Sequence, residues 1–268
     1  MRTVRTIAEL RAALDALSGT VGLVPTMGAF HAGHLSLFEA ARVQNDVVVV
    51  SLFVNPAQFA AGEDFGRYPR DENGDAERAA AAGVDLFFAP LADELYPEGY
   101  ATWVDVEGLS ETLEGAHRPG HFRGVATVCL KLFNLVRPRR AYFGQKDAQQ
   151  AAVVKRVVAD LNLEVEIRVL PTVRDADGLA LSSRNAYLSK AERRIALALP
   201  AALRAGAEAH RAGRDAAEAA GTALARAPGL DVDYVEVARL DGMLVLAAAA
   251  RVGSTRLIDN VPLEGGSV

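Results

Sequence analysis

A chain of 268 residues, half of them apolar and with a net charge of -5, can fill one large core or two smaller ones. The acidic balance disfavours nucleic-acid partners, which bind to basic faces. No uninterrupted apolar run reaches the roughly 18 residues of a membrane helix.

The first segment, Met1 to Leu17, carries Arg2, Arg5, Glu9, Arg11 and Asp15, a charge spacing that is not expected of a secretory leader. Thr6 and Glu9 spell a capping box, which predicts an amphipathic helix over 7–17. Val21–Val24, Val47–Phe53, Val84–Ala89, Ala141–Phe143 and Glu164–Leu170 predict strands. Leu35–Gln44, Asp71–Ala82, Gly124–Arg137 and Ala148–Asp160 predict helices between them. Continuous apolar strands such as Val47-Val48-Val49-Val50 suit a sheet buried on both faces, the doubly wound parallel arrangement of the α/β class. After about residue 170 the rhythm changes. A capping box at Ser189 and Glu192 opens a long helix to about Ala212, and a second helix is predicted over Asp215–Ala227. Three strands follow, Val232–Ala238, Met243–Ala249 and Thr255–Asp259, with a turn at Asp241-Gly242. This tail reads as a smaller C-terminal α+β domain. Cys129, the one cysteine, can form no internal disulfide and is expected in a core, in a reducing, cytoplasmic setting.

The most informative run is Pro25-Thr26-Met27-Gly28-Ala29-Phe30-His31-Ala32-Gly33-His34, which joins a predicted strand to a predicted helix. A helix start offers unpaired N–H groups and the positive end of the dipole, so phosphate is the expected guest. His31 and His34, at i and i+3, can both face it. The plainer alternative is an ordinary turn, and a zinc site completed by His117 and His121 is another.

Further candidates fall at strand ends or in loops, where α/β scaffolds place their ligands. Asn55 and Gln58 are neutral amides able to hydrogen-bond a hydroxy-acid, or a polar loop closing a strand. Lys146 is a mobile ammonium able to follow phosphate charge, with Asp147 as a candidate helix cap and Gln150 one turn in, or Lys146 and Asp147 form a plain surface pair. Ser182, Ser183 and Arg184 form a compact phosphate clamp or a polar surface loop. The segment Glu114–Gly124 could line a pocket or a subunit contact. Asp64-Phe65-Gly66 matches a kinase tripeptide without its partner motifs, a chance match. Neither G-x-x-x-x-G-K-[ST] nor G-x-G-x-x-G occurs.

Together, Pro25-Thr26-Met27-Gly28 with His31-x-Gly33-His34, Phe53-Val54-Asn55-Pro56-x-Gln58-Phe59, Tyr68-Pro69-Arg70, Arg118-Pro119-Gly120-His121-Phe122-Arg123-Gly124, Phe143-Gly144-x-Lys146-Asp147-x-Gln149-Gln150 and Leu181-Ser182-Ser183-Arg184-Asn185 closely resemble the pantothenate synthetase family, in order over nearly the whole chain. The resemblance implies a Rossmann-like nucleotidyltransferase domain over 1–172, a C-terminal α+β lid domain over 173–268 and a homodimer. It further implies condensation of pantoate with β-alanine through pantoyl adenylate, with ATP as substrate and Mg2+ as cofactor. By the same resemblance, Met27, Gly28, Ala29, Phe30, His31, Ala32, Gly33, His34, Gly144, Gln145, Lys146, Asp147, Val173, Leu181, Ser182, Ser183 and Arg184 would hold ATP. Gln58, Gln150, Asn55 and Met27 would hold pantoate and β-alanine. His34 would be the proton donor, and His31, Lys146, Ser182, Ser183 and Arg184 would share the catalytic work. Gln145 and Ala60 stand where many relatives have Glu and Gly. A transferase acting on phosphate monoesters, a nucleotide sensor and a zinc hydrolase are the competing readings.

Overall fold

The computed structural model describes residues Met1–Glu264, so the last four residues of the expected 173–268 domain lie outside the described ones. Nine strands are described, β1 (Arg2–Val4), β2 (Val21–Thr26), β3 (Val47–Leu52), β4 (Leu86–Phe88), β5 (Arg140–Gly144), β6 (Glu166–Leu170), β7 (Leu230–Leu240), β8 (Met243–Val252) and β9 (Thr255–Pro262). The helices are α1 (Ile7–Asp15), α2 (Ala32–Gln44), α3 (Glu72–Ala81), α4 (Ala92–Leu95), α5 (Glu114–His117), α6 (His121–Val136), α7 (Ala148–Asp160), α8 (Lys190–Ala196), α9 (Ala198–Arg211) and α10 (Ala216–Ala225).

The first six strands form one parallel sheet in the order β1-β4-β3-β2-β5-β6. The alternation of Val47 to Val50 explains their continuous apolar run. Val47 and Val49 enter the core with α1, α6 and α7 residues such as Leu10, Leu132 and Val153, while Val48 and Val50 pack with Phe38 and Ala41 of α2 on the opposite face. Strand β1, absent from the predicted elements, is an edge strand of three residues, two of them polar. A segment that short and polar carries no periodic signal.

The chain runs outward from β2 through β3, then returns to the other side at β5. Open α/β sheets bind ligands at such a switch point, beyond the strand ends. Here the switch is held open by Pro25. The Val21 carbonyl accepts from Arg139 N, whereas the Thr26 carbonyl accepts from Phe53 N, so odd residues of β2 face β5 and even ones face β3. Pro25 would have to donate toward β5 and has no N–H. Pairing between β2 and β5 stops at Leu23↔Ala141, and the strands part into a crevice.

The remaining strands form an antiparallel sheet in the order β7-β8-β9. One face packs on α9 and α10 through Leu199, Leu203, Leu224, Leu246 and Leu257. The other, with Tyr234, Val245, Ala247 and Ala249, packs on Leu113, Ala148 and Ala152 of the first region. The alanine run Ala247–Ala250 is therefore the centre of a sheet buried on both faces. The single helix expected over 189–212 is broken at Leu197. Pro200 explains the break, because it cannot donate to Ala196 and its ring crowds that carbonyl. Among the described residues no helix is long and apolar enough to cross a membrane.

Candidate active site

The loop after β2 is shaped by a buried carboxylate. Gly28 and Ala29 adopt φ of 87° and 53°, and Asp75, fully buried on α3, accepts from Ala29 N at 2.6 Å and Phe30 N at 2.7 Å. The next turn is closed by the imidazoles themselves. His31 Nδ1 accepts from Gly33 N at 3.2 Å, and His34 Nδ1 accepts from His31 N at 3.3 Å. The expectation of free backbone N–H groups is thus corrected at Ala29, Phe30, His31 and Gly33, whose N–H groups are engaged within the protein.

The same bonds fix the tautomers. A ring that accepts at Nδ1 carries its proton on Nε2. Burial, reinforced by the Lys146 charge, pushes His31 down to about 4. Burial, then His31 and Lys146, push His34 down to about 3. The two rings lie 4.2 Å apart between centroids and border one cavity. They offer it a pair of neutral N–H donors rather than added positive charge.

That cavity, of about 210 Å³, lies in the crevice between β2 and β5. Met27, His31, Gly33 and His34 border it from one side and Gly144, Lys146, Asp147 and Gln150 from the other. Val173 and Leu181 to Arg184 complete the wall, with Asn55 and Gln58 at one end. Gly28, Ala29, Phe30, Ala32 and Gln145 border neither this cavity nor the larger one beside it. The reasons are local. Ala29 and Phe30 are turned to Asp75, Gly28 sits at the positive-φ corner of that turn, Ala32 is exposed on α2, and Gln145 bonds to Asn260 of β9 at 3.2 Å.

Lys146 and Asp147 follow β5 directly, their charged atoms 3.5 Å apart. Asp147 occupies the N-cap position of α7 but makes no capping bond, so its expected cap role is corrected. The turn is held instead by Asn260, whose Nδ2 donates to the carbonyls of Gln145 at 2.9 Å and Lys146 at 2.8 Å. Neighbouring glutamines do different work. Gln149 is buried, accepting from Glu114 N and donating to the carbonyls of Leu109 and Thr112, while Gln150 borders the cavity.

Asn55 is 1% exposed, and both its donors are spent, on Gln58 Oε1 and the Gly124 carbonyl, each at 3.1 Å. It shapes the turn Pro56–Gln58 that carries Gln58, which differs from the expected direct substrate contact. The carbonyl of Gln58 accepts from His121 Nδ1 at 2.9 Å, so His121 Nε2 accepts from Arg118 Nη1 at 3.1 Å. Burial, then the Arg118 charge, pushes His121 down to about 4. With both nitrogens committed, and His117 packed on Tyr234, this pair is not arranged as the second half of a zinc site. No group of three potential metal-binding His, Cys, Asp or Glu side chains occurs among the described residues.

The serine-arginine segment reaches the site from beyond β6. Ser183 Oγ donates to the Ala29 carbonyl at 3.1 Å, Ser182 Oγ accepts from Arg184 N, and Arg184 forms a two-pronged ion pair with Asp64 at 2.8 Å for each prong. Sequence reasoning missed Asp64 and Asp75. No local pattern marks either one, because their partners lie 120 and 46 residues away.

The larger cavity, about 380 Å³, opens beside the first and is walled by ions already paired. Arg118 holds Glu63. Arg256 holds Glu114 at 2.6 and 2.7 Å and Asp233 at 2.6 Å, and Tyr234 donates to Glu114 at 3.0 Å. Burial disfavours the charge on Glu114, but the hydrogen bonds and charge of Arg256 outweigh it and hold the carboxyl below its usual range. The segment Glu114–Gly124 therefore lines a pocket, one of its two expected uses.

Comparisons with known proteins agree with this architecture. The profile of the family described as pantoate-beta-alanine ligase matches residues 2–262. The pantothenate synthetase of Moorella thermoacetica is 55% identical, over 98% of this chain and 99% of its own length. That of Roseiflexus castenholzii is 53% identical over 98% and 100%. Among solved structures, pantothenate synthetase from Thermus thermophilus superposes with a TM-score of 0.94 at 50% identity, covering 98% of this chain and 99% of that one. A pantoate-beta-alanine ligase from Francisella tularensis, complexed with beta-gamma ATP and beta-alanine, gives 0.86 at 34% identity, with 99% of each chain covered. With a sheet that parts at Pro25, neutral histidines and Lys146 around the opening, and this agreement over the full length, the chain belongs to the pantothenate synthetase (pantoate-beta-alanine ligase) family.

Proposed function

We infer that this enzyme condenses pantoate with β-alanine at the expense of ATP, through pantoyl adenylate. A pantoate carboxylate oxygen attacks the α-phosphorus of ATP and pyrophosphate leaves. The β-alanine amine then attacks the acyl carbon, loses a proton, and AMP leaves with the bridging oxygen. Neither step needs an enzyme nucleophile, so catalysis rests on positioning and charge neutralisation. One observation carries the reading: His31, His34, Lys146 and Ser182 to Arg184 share a cavity with the neutral amides of Gln58 and Gln150. His31 and His34 donate Nε2–H to the phosphates, and Lys146 supplies the mobile charge.

The acceptor end suits pantoate. Val125, Val128, Leu132 and Phe53 border the same cavity and give its gem-dimethyl carbon an apolar wall, while Gln58 and Gln150 address its hydroxyl and carboxylate. A phosphate monoester would need cations at that end, which disfavours the sibling transferase. Mg2+ in nucleotide sites is held by one or two carboxylates together with substrate phosphates. Asp147, half exposed and bordering both cavities, fits that pattern. It would hold the ion, which neutralises polyphosphate charge when bound.

Residues 1–172 would form the nucleotide and pantoate domain and the rest a lid, with two chains per assembly. A cytoplasmic setting accords with ATP supply and with the lone buried thiol of Cys129. The reading is tested by exchange of labelled pyrophosphate into ATP. Exchange is expected with pantoate alone, without β-alanine. Exchange that needs no pantoate would overturn the acyl-adenylate scheme.

A further inference from the structure

Arg184 borders both cavities, yet one edge of its guanidinium is already spent. Nε and Nη2 each donate to Asp64 at 2.8 Å, and the pair is well covered, with side chains 25% and 13% exposed. Nη1 has no protein partner among the described residues. A planar guanidinium has more than one edge, and holding one edge bidentately fixes the plane in which the other donors point. The Tyr68 ring, 5.7 Å from the guanidinium carbon, supports that plane from the side.

Asp64 is itself pinned. It opens the single turn Asp64–Gly66, and the preceding residue, Glu63, is clamped bidentately by Arg118 at 2.7 and 2.8 Å. Two adjacent carboxylates therefore tie one segment to two arginines from distant parts of the chain. Such an anchor fixes direction as well as charge.

We propose that Asp64 is a positioning residue of the adenylation step, holding Arg184 by its Nε–Nη2 edge so that Nη1 is presented to the nucleotide phosphates in the cavity. The idea rests on the reading of Arg184 as a phosphate ligand given above. It gives a use to the Asp64-Phe65-Gly66 tripeptide, whose kinase meaning the sequence excludes. Burial works against ionisation of Asp64, but the bonds and charge of Arg184 outweigh it and keep the carboxylate charged.

The test compares Asp64→Asn, Asp64→Glu, Arg184→Ala and the double variant Asp64→Asn/Arg184→Ala in the full-length chain. Pantoate-dependent pyrophosphate release is measured while ATP and pantoate are varied separately, with thermal melts to confirm folding. Asp64→Asn is expected to raise the KM for ATP about tenfold, the scale of a coupled contact pair, and to leave the KM for pantoate within about twofold. Asp64→Glu, which retains the charge, is expected to recover most of the loss. In the Arg184→Ala background Asp64→Asn is expected to change the KM for ATP by less than about twofold. A lower KM for ATP in Asp64→Asn would show that the carboxylate competes with phosphate, and would overturn the proposal. So would an unchanged value, or an equal loss with and without Arg184. Should Asp64→Asn fail to fold, Asp64→Glu decides, since a longer carboxylate that regained no ATP binding would also overturn the proposal. Failure of the functional reading is distinct, because it shows in the unmodified chain as pyrophosphate release indifferent to pantoate.

Discussion

The two cavities meet at Met27, Gln58, Lys146, Asp147, Gln150, Ser182 and Arg184, yet their walls are made of different chemistry. Beyond those shared residues, the smaller is lined by neutral donors and apolar side chains at the parting of two parallel strands. The rest of the larger is marked by arginines with carboxylate partners, Arg118 with Glu63, Arg251 with Asp233 and Arg256 with Glu114, the last of which ties the antiparallel sheet to α5 of the first region. Neutral groups in a crevice can be aimed at charge that develops during reaction, because no counter-ion has to be displaced first. Buried ion pairs do something else. They are costly to break and directional, and so they fix how one region sits on the other. The difference assigns chemistry to the first cavity and alignment to the second.

The strongest attempt to break that division is Glu114→Ala. It leaves Arg256 buried with only Asp233, and removing one partner of a buried pair costs about 3–5 kcal/mol. Urea denaturation should show the loss, and an unchanged midpoint would refute a stabilising role for the ionic cavity. On the other side, Lys146→Ala and His34→Ala should each slow adenylate formation by at least about 100-fold, as loss of one transition-state donor does. Single-turnover rates near those of the unmodified chain would remove both residues from the chemistry.

A smaller effect is expected at the seam. A Cβ on Gly124 would lie 2.3 Å from the Ala57 carbonyl oxygen, so Gly124→Ala must push the turn that carries Gln58. Overpacking of this kind costs about 1–3 kcal/mol, and it should appear mainly as a raised KM for pantoate. An equal rise in the KM for ATP would argue that the turn does not define the acceptor end.

Protonation sharpens the comparison further. His31, His34 and His121 are held down at about 4, 3 and 4, against an ordinary 6.5. Between about 6.5 and 4 the unfolded chain binds protons that the folded one refuses, so stability must fall as pH falls through that window. Urea midpoints taken from pH 7 to pH 5 should decline. Rates of adenylate formation should show no inflection near 6.5, since the histidines stay neutral on both sides of it. A catalytic inflection there would contradict the neutral pair.

Much of this architecture was legible in the chain. Strand and helix periodicities located the parallel sheet, because residues such as Val47 to Val50 have only buried faces to occupy. The glycine turn before His31 and the lysine after β5 marked the two sides of the crevice, because the ends of parallel strands are where such residues can meet a ligand. What escaped was long-range pairing. Ala29 finds Asp75 across 46 residues, Arg184 finds Asp64 across 120, and Gln145 finds Asn260 across 115. Isolated carboxylates and amides of that kind carry no spacing signal. Only the folded chain shows that they engage the N–H groups of Ala29 and Phe30, the Gln145 side chain and one edge of Arg184, which local reasoning had left free for phosphate.

Oxygen transfer tests the central claim most directly. Pantoate labelled with heavy oxygen in its carboxylate is turned over with ATP and β-alanine, and the AMP is examined by mass spectrometry. Attack of that carboxylate on the α-phosphorus requires one labelled oxygen in each AMP formed. AMP free of label, or label in the pyrophosphate, would contradict the adenylate built in the histidine-lined cavity.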